Sequence, residues 1–261
     1  MKSKTVNVIL LAAGRGVRLG KLTRRIPKCL LSLSETDTVL DNMLNELIED
    51  YRVGNICIVG GYAISALSSH LMKNWRKEVG QGKINLLYNP MFRVANNVVT
   101  FVQSVAYFHS GGIVMDGDIV CHPQIYRNAL DQFYAQPERS FLVIDEVGKD
   151  RDDGMKISVN GRGTIVDIGK SLDSNSVIAE FIGITYLSTN DAKSVLSICQ
   201  ERIRDGKLDL YFDECLAIKS PIYKFDLYTL STQRYPWTEI DTPDDYQRAI
   251  ELYQTIRDAR H

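Results

Sequence analysis

Val6-Asn7-Val8-Ile9-Leu10-Leu11-Ala12-Ala13-Gly14-Arg15-Gly16-Val17-Arg18-Leu19-Gly20 is the stretch whose reading decides the fold. Val6 to Leu11 is a short β-branched and apolar run, which predicts a strand buried on both faces. It ends in small residues and glycines, with Arg15 and Arg18 inside the loop and Pro27-Lys28 beyond it. Small residues after a buried strand let backbone N–H groups approach phosphate oxygens, and Arg18 and Lys28 bring charge to oxygens that gain it in phosphoryl transfer. Glycines at 14, 16 and 20 miss the dinucleotide-binding spacing by one residue, and no Gly-Lys-Ser/Thr of a P-loop follows. On these residues alone the loop is either a phosphate site or a plain glycine-rich turn beside two solvated cations.

Outward from this strand the order strand, loop, helix repeats. Helical spacing covers Asp37 to Asp50, Ala63 to Lys77 and Asn97 to Phe108, with strands at Asn55 to Val59, Ile84 to Tyr88 and Ile113 to Met115. This grammar predicts an α/β fold, a Rossmann-like, mostly parallel sheet sandwiched by helices. From Phe141 the strands come closer together, at Phe141 to Glu146, Met155 to Val159, Thr164 to Ile168 and Ala179 to Leu187, with a hairpin turn at Asn160-Gly161-Arg162-Gly163. Helices at Thr189 to Arg204, Phe212 to Ile218 and Pro243 to Arg257 complete the pattern, the last opened by a Thr242-Pro243-Asp244-Asp245 start signal. The expectation is one domain, with residues 1–140 as its nucleotide-binding part and residues 141–261 as a β-rich acceptor-binding part.

Composition narrows the function. With 261 residues, 44% of them hydrophobic, a substantial core can form, and a formal charge of −1 lacks the basic excess that would announce nucleic acid or an anionic membrane as partner. The five cysteines show no CxxC pairing and read as reduced core residues. The apolar run after the basic start MKSKT is too short for a bilayer and reads as the first strand, so a cytoplasmic enzyme is expected.

Ligands of such sheets gather beyond the carboxyl ends of the strands. Those ends are Leu11-Ala12-Ala13-Gly14, Gly60-Gly61-Tyr62, Asn89-Pro90 and Asp116-Gly117-Asp118. The aspartates of the last, with Glu239-Ile240-Asp241, are suited to Mg²⁺, which takes one or two carboxylates together with phosphates and waters.

Leu11-Ala12-Ala13-Gly14-x-Gly16-x-Arg18-Leu19 followed by Pro27-Lys28-Cys29-Leu30 resembles the signature of the nucleoside-triphosphate transferases that make nucleotide sugars and related activated alcohols. Val17 stands where that family usually has Thr or Ser. Asn96-Asn97 with Thr100, the segment Leu208 to Glu214 and Trp237 to Asp241 are similar to the phosphocholine cytidylyltransferase branch. The resemblance implies an enzyme that joins the nucleoside monophosphate of an NTP, here CTP, to a small phosphorylated or phosphonate acceptor and releases pyrophosphate. It places Arg18 and Lys28 on the triphosphate. Leu11, Ala12, Ala13, Gly14, Arg15, Gly16, Gly61, Tyr62, Asn89 and Asn97 fall around the nucleotide. Asp118 and Asp241 become ligands of Mg²⁺, with Asp116 as a helper. Lys170 is assigned to the acceptor phosphate, with Lys156, Glu180, Tyr211 and Asp213 around the acceptor. Tyr186, Phe212 and Trp237 are further aromatic candidates for a choline-type head group, while Lys156 favours a phosphonate, a phosphorylated amino acid or a polyol phosphate. A sugar-1-phosphate nucleotidyltransferase using UTP, dTTP or GTP, and a non-catalytic nucleotide-binding regulator, stay open as alternatives, as does a homodimer.

Overall fold

A computed structural model describes residues 5–108, 110–146, 154–173, 176–218 and 225–259; the basic start of the chain, residues 1–4, lies outside them. β1 (Val6–Ala12) is central. It pairs in parallel with β2 (Val53–Gly60) on one side and β4 (Gly112–Asp116) on the other, and β3 (Ile84–Tyr88) extends the sheet beyond β2. Beyond β4 lie β9 (Val177–Leu187), β6 (Phe141–Asp145) and β10 (Tyr228–Ser231), giving the order β10-β6-β9-β4-β1-β2-β3. Only β9 runs against the other six strands of this path, since it is antiparallel to both β4 and β6. β7 (Met155–Val159) and β8 (Ile165–Gly169) form a hairpin that joins through β9.

Helices cover both faces, as the apolar run Val8 to Ala12 of β1 requires. Even-numbered residues of β1 pack with α1 (Val39–Ile48), α2 (Ile64–Asn74) and α5 (Pro123–Ala135). Ile9 and Leu11 face the opposite layer, α4 (Asn97–Gln103), α6 (Thr189–Arg204) and α7 (Phe212–Leu216). The helix expected over 63–77 breaks at Trp75, which leaves helical dihedrals while its indole donates to Asp41 at 2.7 Å, and α3 (Arg76–Gly80) follows. The helix expected over 97–108 ends at Gln103, where Ser104 donates back to the Phe101 carbonyl at 2.7 Å and the chain tightens into a 3-10 turn.

The order of strand addition reverses at β1: β2 and β3 extend the sheet on one side, and β4 is added in parallel on the other. In open α/β sheets this switch point is where a crevice opens. The last helix, α8 (Pro243–Asp258), starts on a capping box between Thr242 and Asp245 and packs beside β5 (Ile119–Cys121) and β11 (Trp237–Glu239), an antiparallel pair of three-residue strands. All five cysteines are buried and unbridged, and among the described residues no helix is long and apolar enough to cross a membrane.

Candidate active site

A cavity of about 250 Å³ opens at the switch point. One wall is the end of β1 and the start of the loop that follows, from Leu11 to Gly14, with Arg18 and Lys28; the floor is Asp116-Gly117-Asp118 at the end of β4. Gly117 donates to the Leu11 carbonyl at 3.0 Å, and a Cβ there would lie 3.0 Å from the Ala12 Cβ, so the two loops meet closely.

Asp118 and Asp241, far apart in the chain, converge because β5 and β11 pair with Ile119 opposite Glu239, and Ile240 donates to the Asp118 carbonyl at 3.0 Å. Single oxygens of Asp118, Glu239 and Asp241 come within 4.8 Å of one another. Lys28 Nζ lies between two of them, 2.7 Å from Asp118 Oδ2 and 2.6 Å from Asp241 Oδ1, and Arg18 reaches Asp241 Oδ2 at 2.6 Å. Burial alone would raise the Asp241 pKa; the Lys28 charge and hydrogen bond, with Arg18 and Lys170, outweigh it and hold the carboxyl below the usual carboxylate range. Burial likewise disfavours the Lys28 ammonium, but the Asp118 and Asp241 charges overcome it and its pKa is raised. The donor set suits a hard divalent cation: all carboxylate oxygens, with Asp118 Oδ1 buried and accepting no hydrogen bond among the described residues. Glu239, the third carboxylate, was not among the metal ligands expected from sequence.

The opposite wall comes from the second half of the chain: Met155, Lys170, Phe181, Ile182, Gly183, Tyr211 and Asp213. Lys170 Nζ sits 5.2 Å from the Tyr211 ring centroid, a cation–π distance. Asp213 is buried at the start of α7, and burial, aided by the Glu214 charge, pushes its carboxyl up to about 7 against its own backbone N–H and Lys170. The Asp116 pKa is raised well above normal by burial and by the charges of Asp213, Asp118 and Glu239. Each carboxyl thus disfavours ionisation of the other across the cavity, and among the described residues no side chain donates a hydrogen bond to either. Gly183, at φ +80°, closes over Asp116: a Cβ there would lie 2.8 Å from Asp116 Oδ2 and 2.6 Å from Ile119 Cδ1.

Other residues singled out in the sequence line the cavity or brace the elements that do. Asn97 lines the cavity and accepts from the Phe212 N–H at 2.6 Å, while Asn96 donates to the Asp209 carbonyl at 3.1 Å; together they clamp α4 to the segment carrying Tyr211 and Asp213. Asn89 is fully buried and donates to the Thr100 hydroxyl at 3.0 Å. Gly61 packs on Ala13, where a Cβ would be 2.9 Å from the Ala13 Cβ, and Tyr62 donates its N–H to the Ala13 carbonyl at 3.1 Å. Arg15 lies 5.7 Å from the Tyr62 ring centroid, and Gly16, at φ +59°, packs on the Lys28 stem. Lys156 and Glu180 are opposite each other on β7 and β9, outside the cavity lining, whereas their neighbours Met155 and Phe181 line it. Of the aromatic candidates, Tyr211 reaches the cavity. Phe212 and Tyr186 are core residues, and Trp237 donates to Asp145 at 2.8 Å.

The family model for nucleotidyl transferases matches residues 7–168, from β1 through the β8 strand. The chain belongs to the nucleotidyl transferase family. This transferase is 28% identical over 252 residues to a choline-phosphate cytidylyltransferase of Haemophilus influenzae, covering 94% of this chain and 97% of that protein. It is 23% identical over 241 residues to a 2-aminoethylphosphonate cytidylyltransferase of Lancefieldella rimae, covering 92% and 90%. Its fold superposes on the CTP:phosphocholine cytidylyltransferase of Streptococcus pneumoniae with a TM-score of 0.73 at 21% identity, covering 96% and 99% of the two chains.

Proposed function

We propose that this transferase is a cytidylyltransferase whose acceptor is a short phosphorylated or phosphonylated primary amine. The observation that carries the head-group class is the pair Asp116 and Asp213, a half-buried carboxyl on the cavity floor and a buried one on the wall facing it, which no lysine or arginine among the described residues hydrogen-bonds. A protonated amine offers N–H donors to both; a quaternary ammonium offers none and is held by aromatic faces. CTP as donor rests on the cytidylyltransferases to which the chain is similar over nearly its whole length.

In this reading Leu11 to Gly14 present backbone to the triphosphate, and Arg18 and Lys28 neutralise its oxygens. Lys170, on the far side, holds the acceptor phosphate or phosphonate. That group is ionised at neutral pH, so it needs no general base: its oxygen bonds to the α-phosphorus as the bond to the bridging oxygen of pyrophosphate breaks. The protein contributes alignment and charge neutralisation. Asp118, Glu239 and Asp241 would hold Mg²⁺, which supplies Lewis-acid stabilisation at the α-phosphate when bound.

The test compares kcat/KM with CTP for aminoethyl phosphonate, phosphoethanolamine, phosphocholine and glucose 1-phosphate. The primary amines are expected to lead phosphocholine by about tenfold or more, the order of one lost charge-assisted hydrogen bond. Phosphocholine or the sugar phosphate leading would refute the head-group assignment.

A further inference from the structure

We infer that Lys28 is the resident cation of the position between Asp118 and Asp241 in the nucleotide-free protein, so that a divalent metal enters only as an incoming triphosphate draws Lys28 away. The inference deepens the reading above and rests on it.

Lys28 Nζ bonds both carboxylates at once, at 2.7 and 2.6 Å, and is mostly shielded from solvent. Magnesium binds carboxylate oxygens at about 2.0–2.1 Å, so an ion bridging these two oxygens and an ammonium bonded to both claim the same space. Lys28 cannot simply withdraw, because a buried ammonium stripped of its partners is strongly disfavoured. It needs a replacement anion. The loop that would receive the triphosphate touches the lysine stem: a Cβ on Gly16 would fall 2.7 Å from Lys28 Cγ, and the Gly16 carbonyl is held by the Thr23 hydroxyl at 2.8 Å. Phosphate oxygens at Leu11 to Gly14 would therefore arrive beside the lysine that has to be re-paired. Arg18 also meets Asp241, but through the other carboxylate oxygen and from a side chain that is 55% exposed, so it neutralises the site without filling it.

Occupancy by Lys28 makes a prediction that charge alone does not. The apparent metal affinity is the intrinsic affinity multiplied by the fraction of protein in which the position is open, and removing the occupant restores it. Reciprocity then requires metal and nucleotide to tighten each other's binding. Mn²⁺ is titrated by electron paramagnetic resonance into nucleotide-free wild type, Lys28→Gln and Arg18→Gln. Lys28→Gln is expected to bind Mn²⁺ at least about tenfold more tightly than wild type, and Arg18→Gln to change by less than about threefold. Equal affinities in wild type and Lys28→Gln, or an equal gain in Arg18→Gln, would overturn the inference. If CTP confers Mn²⁺ binding on wild type while Lys28→Gln shows no gain, the inference falls alone; if no protein binds Mn²⁺ even with CTP, the metal reading falls with it. A second readout needs no Lys28→Gln protein. In proton–nitrogen spectra of wild-type lysine ammonium groups, the Lys28 signal, assigned by its loss in Lys28→Arg, should persist with Mg²⁺ alone and shift when CTP is added with it. A shift with Mg²⁺ alone would contradict the occupancy.

Discussion

Gly183→Ala probes one point of close packing. Gly183 has φ +80°, and an added Cβ would meet Ile119 Cδ1 at 2.6 Å and Asp116 Oδ2 at 2.8 Å. Left-handed backbone costs a non-glycine residue about 1–2 kcal/mol, and overpacking a filled site costs about 1–3 kcal/mol more. Gly163, in the β7–β8 turn, has φ +73° with nothing within reach of a Cβ. Gly163→Ala therefore carries the backbone cost alone, and the difference between the two variants is the clash, about 1–3 kcal/mol. For a chain of this size that is a gap in Tm of roughly 2–8 °C, measurable by differential scanning calorimetry. Because the clash displaces Asp116, Gly183→Ala should also raise the acceptor KM while leaving the CTP KM near wild type. Gly163→Ala should change neither. Equal melting temperatures for the two alanine variants, with an unchanged acceptor KM, would refute the close packing of Gly183 on Asp116 and its place in the acceptor pocket.

Asp118→Ala and Asp241→Ala should each lower kcat by about 10²-fold or more, with circular dichroism showing a retained fold, since each removes charge from the reacting centre; normal turnover in either would remove the metal assignment. Asp213 provides a pH test. Its folded pKa, raised to about 7, exceeds the ordinary 3.8, so the native state holds the extra proton between these values. Stability is then lost as pH rises from about 4 to 7 and stays level above, so Asp213→Asn should gain on wild type in urea melts at pH 8 and lose that gain near pH 4. Acceptor KM should fall as pH rises through 7 in wild type and flatten in Asp213→Asn. Asn97→Ala strips the Phe212 N–H of its acceptor, costing about 1–3 kcal/mol and loosening the Tyr211–Asp213 segment. An unchanged urea midpoint and acceptor KM would show that clamp to be idle.

Much of the fold was legible because its information is local. The β1 run, the glycine loop and the alternation of strand and helix determine a parallel sheet, and its switch point draws in Arg18, Lys28 and Asp118. Asp241 was recognisable through the resemblance of Trp237 to Asp241 to the family, just before the start signal of α8. Glu239 was harder to see, since its approach to Asp118 depends on β5 and β11, two three-residue strands too short to show a period. Helix α5 also escaped the sequence reading, although His122-Pro123 and apolar residues at 125, 126, 129, 130 and 133 mark it in retrospect. Lys156 and Glu180 illustrate a different limit. Linear spacing brings them to the right strands, but side chains alternate across a sheet, and the parity that puts Met155 and Phe181 at the cavity turns their neighbours away. The bond from Asn97 to Phe212 spans 115 residues, and no local pattern encodes it.

The most direct test of the account follows phosphorus through the reaction. Phosphorus NMR of the protein with Mg²⁺, CTP and aminoethyl phosphonate should show one pyrophosphate formed for each acceptor consumed, together with a new mixed anhydride joining the α-phosphorus of CMP to the phosphonate. Absence of pyrophosphate with any of the four nucleoside triphosphates and any phosphorylated acceptor would contradict it, leaving a protein that binds nucleotide without transferring it.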